Sequence, residues 1–255
     1  MQARLLIASM AAIVLTGTMA FCEDKPAKAP AVAPYEGTGD LKIDKPEDKE
    51  DVKPVTAPEG AIVLFNGKDV SNWVSNKDKS PAKWEVVDGV LQGKPGSGDI
   101  LSQHQFEGAY HLHVEFRVPY EPNNHDQGRG NSGVYLNSHW EVQVLDSYHN
   151  KTYADGACGA IYSIEPPKEN AAKAPTVWQS YDIEFHPAKC EDGKVVERPT
   201  ATVVWNGVKV HDNTKLTKDN TPAGNGGDIC KPGPLKLQDH GHPVQFRNIW
   251  AEPLK

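Results

Sequence analysis

The stretch YHLHVEFRV, residues 110 to 118, alternates strictly between apolar and polar side chains. One set falls on a single face and consists of Tyr110, Leu112, Val114, Phe116 and Val118. The other set consists of His111, His113, Glu115 and Arg117. A period of two is that of a β-strand with one face on an apolar core and the other facing outward. This stretch therefore predicts a half-buried strand in a sheet.

The rest of the chain repeats this signal. Further alternating runs are residues 84–93, 139–150, 178–187, 201–212, 235–238 and 244–254. Two of them contain Asp88-Gly89 and Asn206-Gly207, which are typical of tight hairpins. No long segment has a helical period, and no internal repeat is visible. Many short strands separated by Gly and Pro predict an all-β fold, a two-sheet antiparallel jelly-roll sandwich.

The N-terminal region differs in composition from the rest. Residues 1–20 have Arg4 before a short apolar run and then small residues, which predicts a secretory signal peptide. Cys22 leaves lipidation open as an alternative, although Phe21 fits that pattern poorly. Residues 21–57 are rich in Pro, Lys and Glu, and we expect a flexible tether. The folded domain is then expected over residues 58–255, in the periplasm or outside the cell.

The net charge limits the classes of binding partner, and the cysteine spacing limits the kinds of site and bond that the cysteines can form. The net charge of -7 and the lack of a basic stripe argue against a nucleic-acid partner. The four cysteines show no CxxC spacing, so a zinc site is not indicated. Cys190 and Cys230 lie in polar loops that flank a hairpin, and we expect a disulfide between them. Cys158 lies among small and apolar residues and is predicted to be a buried thiol.

Residues 129–148, RGNSGVYLNSHWEVQVLDSY, hold the densest set of polar groups on strands. Glu141 and Gln143 share one face, and a β-bulge after Gln143 would bring Asp146 to the same side. Two carboxyls facing a sugar bond can act as proton donor and as base or nucleophile. A solvated strand face explains the same residues equally well. The Gly130–Gly133 segment, which contains Asn131 and Ser132, is either a ligand contact or an ordinary turn.

Two further constellations are candidates for binding or metal ligation. Residues 236–250 carry Gln238, Asp239 and His240 at a strand end, followed by Arg247 and Asn248 on the next strand. Strand ends commonly carry binding groups, but a hydrogen-bonded turn is an alternative. On residues 110–118, the row that contains His111, His113 and Glu115 has the spacing to hold a divalent metal. It also fits a polar exterior with a cross-strand Glu-Arg pair.

The ordered set FNGKDVSNWV, WEVVDGVLQG, EFRV, GNSGVYL, EVQVLDSY, GACGAIY, WQSYDIEFH, VVWNGVKVHDN, PLKLQDHG and FRNIW resembles the 3-keto-disaccharide hydrolase family. The resemblance runs from about residue 58 to the C-terminus. It implies a concanavalin A-like jelly roll in which a concave sheet forms a sugar groove. It also implies an exported hydrolase or eliminating lyase that cleaves 3-keto glycosides through loss of the C2 proton.

The activity implied by this resemblance needs a base near C2, a stabiliser for the enolate and an acid at the departing oxygen. The expected catalytic residues are Glu141, Asp239, His240 and Arg247. The expected substrate-binding residues are Asn131, Ser132, Gln143, Gln238 and Asn248. No cofactor is certain; a divalent metal, with Glu115 and Asp146 as ligands, is one candidate stabiliser.

A separate sugar 3-oxidoreductase would have to supply the keto substrate. Two other functions stay open at this point. One is a conventional glycoside hydrolase that uses Glu141 and Asp146. The other is a non-catalytic carbohydrate-binding module, since fold alone does not assign a mechanism.

Overall fold

The alternating runs of the sequence form strands, and the two runs that contain Asp88-Gly89 and Asn206-Gly207 each form a pair of strands. The computed structural model describes residues 34, 35 and 37–254. The strands are β1 (Ile62–Phe65), β2 (Trp73–Ser75), β3 (Glu85–Val87), β4 (Val90–Gln92), β5 (Ile100–Phe106), β6 (Tyr110–Arg117), β7 (Asn131–Leu136), β8 (Trp140–Leu145), β9 (Gln179–His186), β10 (Lys189–Glu191), β11 (Lys194–Glu197), β12 (Thr200–Trp205), β13 (Val208–Lys215), β14 (Gly233–Leu237) and β15 (Gln245–Pro253). Short 3₁₀ turns cover Pro46–Lys49, Asp126–Gly128 and Ala154–Gly156.

Two antiparallel sheets make up the domain. The eight-stranded sheet has the order β13-β12-β9-β6-β15-β4-β3, with β1 also paired to β15. The five-stranded sheet has the order β2-β5-β14-β7-β8, and β10 with β11 forms a separate hairpin. Asp88 and Gly89, and likewise Asn206 and Gly207, have positive φ angles, as tight hairpin turns require. The predicted all-β jelly-roll sandwich is confirmed.

The apolar core lies between the two sheets. The eight-stranded sheet contributes Val114, Phe116, Ile183 and Phe246, and the five-stranded sheet contributes Val134, Val142, Val144 and Leu235. All of them are 1% exposed or less. Burial of each such side chain stabilises the fold by about 2 kcal/mol. Because strand residues alternate, the residues between these core positions point to the outer face of each sheet.

Residues 37–57 lie against the domain, which differs from the flexible tether predicted over residues 21–57. The backbone N–H of Val52 donates to the Trp178 carbonyl at 3.1 Å, and Asp51 accepts the Trp178 N–H at 2.9 Å. The Val55 N–H donates to the buried Glu115 carboxylate at 2.7 Å. Low apolar content predicted a free segment, but here the backbone itself supplies hydrogen bonds to buried polar groups.

The predicted signal peptide over residues 1–20, Cys22 and residues 21–33 lie outside the described residues. Within the part of the chain that the structure describes, no helix is long and apolar enough to cross a membrane. A disulfide joins Cys190 to Cys230, the pair expected from the sequence, with their Cα atoms 5.8 Å apart. Cys158 is a free, buried thiol, also as expected. The disulfide ties β10 to the loop that precedes β14.

Candidate active site

A pocket opens on the outer face of the five-stranded sheet. Its volume is about 130 Å³. The residues that line it are Gln127, Asn131, Glu141, Gln143, Tyr162, Pro222, Ala223, Gln238 and His240. The outer face of a sheet commonly meets water, yet every residue of β7 and β8 is buried. Loops therefore cover these strands and leave a small polar pocket between them.

Two loops form the walls of this pocket. The chain after β8 returns alongside it: the Gln143 N–H donates to the Ala160 carbonyl and the Tyr162 N–H to the Glu141 carbonyl, both at 3.0 Å. The loop after β13 supplies Pro222 and Ala223 and is fixed by Thr221, whose Oγ1 accepts the Glu141 N–H at 3.0 Å. Both walls are thus anchored on the backbone of β8.

Glu141 is the only carboxylic acid among the lining residues, all of which fall in the described part of the chain. Its side chain is 3% exposed. Burial raises the pKa of Glu141 to about 8, against the opposing effects of the Tyr135 hydroxyl and the Lys236 ammonium. A carboxyl with a pKa near neutrality can both take up and release a proton at physiological pH.

Gly133 provides the space in which this carboxyl lies. A Cβ atom built on Gly133 would be 2.3 Å from Oε1 of Glu141 and 2.8 Å from the ring of Tyr135. Both contacts are far shorter than van der Waals distance, so a larger residue at this position would displace the Glu141 carboxyl and the Tyr135 ring. Tyr135 lies directly across from Glu141 in the β7–β8 register. Its hydroxyl hydrogen-bonds to Glu141 and accepts the Gln238 Nε2 at 2.9 Å.

Lys236 lies beneath the pocket and is completely buried. Its Nζ atom is 3.8 Å from the centroid of the Tyr135 ring and 3.3 Å from Oδ2 of Asp99, and it also donates to the Ala223 carbonyl. Burial lowers the pKa of Lys236, while the carboxylates of Asp99 and Glu141 oppose that effect. The ammonium group therefore fixes Tyr135 and the Ala223 wall and places positive charge near Glu141.

Three amide side chains present buried oxygens that have no hydrogen-bond partner: Asn131 Oδ1, Gln143 Oε1 and Gln238 Oε1. The nitrogen of Asn131 donates to the Gln127 carbonyl at 2.8 Å. The nitrogen of Gln143 lies 3.3 Å from the Gly156 carbonyl. A backbone carbonyl can only accept, so these contacts fix which end of the Asn131 and Gln143 amides is the oxygen. The pocket thus offers acceptors to a ligand that carries hydroxyl groups.

His240 lies at the rim of the pocket. Partial burial and the neighbouring His242 lower the pKa of His240, which favours the neutral imidazole at pH 7. The two imidazole rings are stacked with centroids 6.1 Å apart, and His242 in turn pairs with Glu121 at 2.8 Å. A neutral imidazole carries one N–H donor and one acceptor, so it can move a proton.

Some of the predicted site residues line this pocket, and others form hydrogen bonds elsewhere in the domain. Asn131, Glu141, Gln143, Gln238 and His240 come together around the pocket. Ser132 instead donates to the Gln238 carbonyl at 2.7 Å and holds β7 to the end of β14. Asp239 accepts the N–H groups of Gly98 at 2.8 Å and Gly241 at 3.0 Å, as a carboxyl that orders two loops.

Arg247, Asn248 and Glu115 do not line the pocket, because they lie on strands β15 and β6 of the eight-stranded sheet. Arg247 Nε is 2.5 Å and Asn248 Nδ2 is 2.8 Å from the Glu115 carboxylate. This is the cross-strand Glu-Arg pair that the sequence left open, although Glu115 is buried and does not lie on a polar exterior. Burial tends to raise the pKa of Glu115, but bonds from His113, Asn248, the Val55 N–H and Arg247 hold it below its usual range.

Asp146 does not join the pocket face either. The β7–β8 register runs without a bulge from Leu136 opposite Trp140 to Asn131 opposite Leu145. Without the expected bulge, Asp146 turns inward and pairs with Arg129 at 2.5 Å and with the Tyr148 N–H at 3.1 Å. Glu115 and Asp146 therefore do not form a shared metal site. Among residues 34, 35 and 37–254, no group of three or more His, Cys, Asp or Glu side chains is placed to hold a metal ion.

Several pocket residues were missed from the sequence, notably Tyr135, Lys236, Tyr162 and Gln127. The first two could have been found by extending the alternation. Residues 131, 133 and 135 share one face of β7. In the run Leu235-Lys236-Leu237, the two leucines point to the core and Lys236 points to the other face of the sheet, where it lies across from Tyr135. Tyr162 and Gln127 lie on loops, where no periodicity indicates a direction.

Residues 60–252 match the family described as the 3-keto-alpha-glucoside-1,2-lyase-like domain. The chain belongs to this family. A candidate glycosyl hydrolase from Parabacteroides distasonis ATCC 8503 is 37% identical, with a TM-score of 0.71 over 88% of this chain and 100% of that one. A second candidate glycosyl hydrolase from the same organism is 23% identical, with a TM-score of 0.57 over 77% of this chain and 95% of that one. No curated protein matches this chain.

Membership confirms the resemblance drawn from the ordered sequence motifs. The two solved relatives from Parabacteroides distasonis are themselves described as candidate glycosyl hydrolases. The matched region, residues 60–252, contains the pocket and both sheets but not the N-terminal segment that covers Glu115.

Proposed function

We propose that the protein cleaves the glycosidic bond of 3-keto glycosides by removing the proton at C2 and expelling the oxygen at C1. The observation that carries this proposal is the Glu141 carboxyl, buried alone in a polar pocket with its pKa raised to about 8. The C3 ketone acidifies the C2 proton of the substrate. A carboxylate that burial has made unusually basic is well suited to take it.

The electrons move as follows. The Glu141 carboxylate takes the C2 proton, and the C2–H electron pair forms an enolate that spreads onto O3. When the ketone re-forms, the pair makes a C1=C2 double bond and the C1–O bond breaks. The departing oxygen takes a proton. Addition of water across the double bond, with a proton returned to C2, completes a net hydrolysis.

Other pocket residues have roles that fit this route. The unpartnered oxygens of Asn131, Gln143 and Gln238 accept hydrogen bonds from sugar hydroxyls. The neutral His240 imidazole donates its N–H at the enolate or at the departing oxygen. Lys236 and Tyr135 act through Glu141, by fixing its position and by limiting how far its pKa rises.

The proposal extends to compartment and pathway. We propose that the chain is exported, which the signal-peptide pattern of residues 1–20 and the Cys190–Cys230 disulfide both support. Because the substrate carries a ketone at C3, an oxidoreductase that oxidises a sugar hydroxyl has to act first. No separate metal is assigned to the reaction, since the residues expected to bind one are paired elsewhere.

The test is to incubate the full protein with phenyl glucosides and with the same compounds oxidised at C3, and to follow the release of phenol. We expect release from the keto forms alone, with a primary isotope effect when C2 carries deuterium. Glu141→Gln should abolish release. Glu191→Gln, on the exposed β10–β11 hairpin, is the matched control and should leave it unchanged.

Other results of this release assay would indicate one of the two alternative functions. Release from the unoxidised glucosides, without an isotope effect at C2, would move the assignment to a conventional glycoside hydrolase. That function is disfavoured because Asp146, its second carboxyl, is paired with Arg129 away from the pocket. Sugar binding without any release would identify a carbohydrate-binding module.

A further inference from the structure

Tyr153 is an exposed aromatic residue beside the pocket, and the proposed chemistry does not use it. Tyr153 is 46% exposed, an unusually large fraction for an aromatic residue of this domain. Its neighbour Tyr162 lines the pocket. The two rings are arranged edge to face, with centroids 6.1 Å apart and planes at 81°, and their hydroxyl groups are in contact.

Gly156 provides the surface on which the Tyr153 ring lies. A Cβ atom on Gly156 would be 2.0 Å from Cε2, 2.6 Å from Cζ and 2.7 Å from Cδ2 of that ring. The ring is therefore packed against the backbone of Gly156, where no larger residue would fit. A ring supported in this way, while nearly half of the residue stays exposed, offers a flat and rigid surface to a ligand.

The same glycine belongs to the frame of the pocket. The Gly156 carbonyl accepts hydrogen bonds from Gln127 at 2.9 Å and from Gln143 at 3.3 Å, and both glutamines line the pocket. Tyr162 is fixed in turn through its N–H, which donates to the Glu141 carbonyl. The Tyr153 ring thus has a fixed position relative to Glu141, just outside the volume that the reacting sugar would fill.

We infer that Tyr153 and Tyr162 form a subsite for the leaving group, and that this subsite takes a six-membered ring with an apolar face, either a second sugar or an aryl group. This inference rests on the proposed function. A pocket of about 130 Å³ has room for no more than one sugar ring, so the departing group has to lie beyond it. Aromatic faces stack on the C–H face of sugars and on aryl rings, and such contacts strengthen binding modestly.

The test compares 3-keto glucosides that differ only in the leaving group, with methyl, phenyl or glucosyl at the C1 oxygen. For each variant, the measured quantity is the ratio of kcat/KM for the phenyl or glucosyl substrate to that for the methyl substrate. Dividing this ratio by that of the unmodified protein cancels the intrinsic difference between the leaving groups. Tyr153→Ala should lower the ratio about fivefold.

Two variants serve as controls. Tyr153→Phe keeps the ring and removes only the hydroxyl contact with Tyr162, so the ratio should stay as in the unmodified protein. Val196→Ala, at an exposed position on the β10–β11 hairpin, should change neither the ratio nor the activity. A ratio that Tyr153→Ala leaves unchanged, or a loss that is equal for all three substrates, would overturn the subsite.

Failure of the proposed function would be seen separately, as no release from any keto substrate by the unmodified protein. In that case the subsite is tested by calorimetry with the unoxidised methyl and phenyl glucosides. Tighter binding of phenyl glucoside that Tyr153→Ala abolishes and Tyr153→Phe retains would support the subsite. Equal affinity of the two glucosides for the unmodified protein would overturn it.

Discussion

Replacement of Glu141 by glutamine should stabilise the protein at alkaline pH and leave its stability at acid pH nearly unchanged. The folded-state pKa of Glu141 is about 8, whereas a carboxyl in an unfolded chain has a pKa near 4.5. Between these two values the folded protein binds one more proton than the unfolded chain does. By linkage, the free energy of unfolding must then fall as the pH rises through that window. Glutamine carries no such proton and removes this dependence.

The size of the effect follows from the two pKa values. A shift of a carboxyl pKa from 4.5 to about 8 corresponds to about 5 kcal/mol of lost stability above pH 8, an upper bound, and to about 3 kcal/mol at pH 7. The assay is urea unfolding of the wild type and of Glu141→Gln at pH 5, 7 and 9. The difference in unfolding free energy should grow steadily across that series.

The comparison across pH removes constant effects of the substitution, such as the loss of a charge near Lys236. Glu191→Gln, on the exposed β10–β11 hairpin, controls for removing a carboxylate in general. If the difference between Glu141→Gln and the wild type is the same at pH 5 and pH 9, Glu141 has an ordinary pKa. Glu141 would then lack the raised proton affinity on which its assignment as the base rests. If Glu141 is the base, activity should rise with pH through about 8, over the range where stability falls.

Three further predictions test the pocket and its surroundings. Gly133→Ala should abolish turnover and lower Tm, because the added Cβ would lie 2.3 Å from the Glu141 carboxylate; kcat and a melting curve check this. Glu115→Ala should lower the free energy of unfolding by about 3 kcal/mol, because it leaves the Arg247 charge without its partner. The kcat of the folded protein should stay the same; urea unfolding measures the first effect and a turnover assay the second. A chain cut to residues 58–255 should lose about 2 kcal/mol, measured in the same way, because Glu115 loses the Val55 N–H.

The fold could be predicted from the sequence because strand signals are local. Alternation in residues 110–118 and the Asp88-Gly89 and Asn206-Gly207 turns need no knowledge of distant contacts. The Cys190–Cys230 pair followed from the same reasoning about loops and hairpins. The packing of residues 37–57 against the domain was not predictable from composition, because it comes from backbone hydrogen bonds, which composition does not report.

The pocket was predictable only in part, because alternation along one strand shows which residues share a face but not which other strands lie beside it. Glu141 and Gln143 share a face whatever their partners are, so their common face followed from alternation alone, whereas the pocket on that face did not. Asp146 required a bulge that the register lacks, and the structure turns its side chain to Arg129 instead. Whether residue 247 reaches the same pocket depends on which sheet its strand joins. That choice is made by long-range pairing and is invisible in a local pattern.

The two sheets each bury a glutamate on the outer face, and the contrast between them separates structure from function. Glu115 receives hydrogen bonds from Val55, Arg247 and Asn248, and these hold its pKa low. Glu141 has a raised pKa, and amide oxygens without partners lie around it. A buried charge whose hydrogen-bond partners all come from the protein stabilises a docked segment and needs no ligand to complete its hydrogen bonds. A buried carboxyl left among unsatisfied acceptors destabilises the folded chain, and a bound substrate with several hydroxyl groups would relieve that cost. This contrast supports the proposal that a sugar binds and reacts in the pocket around Glu141.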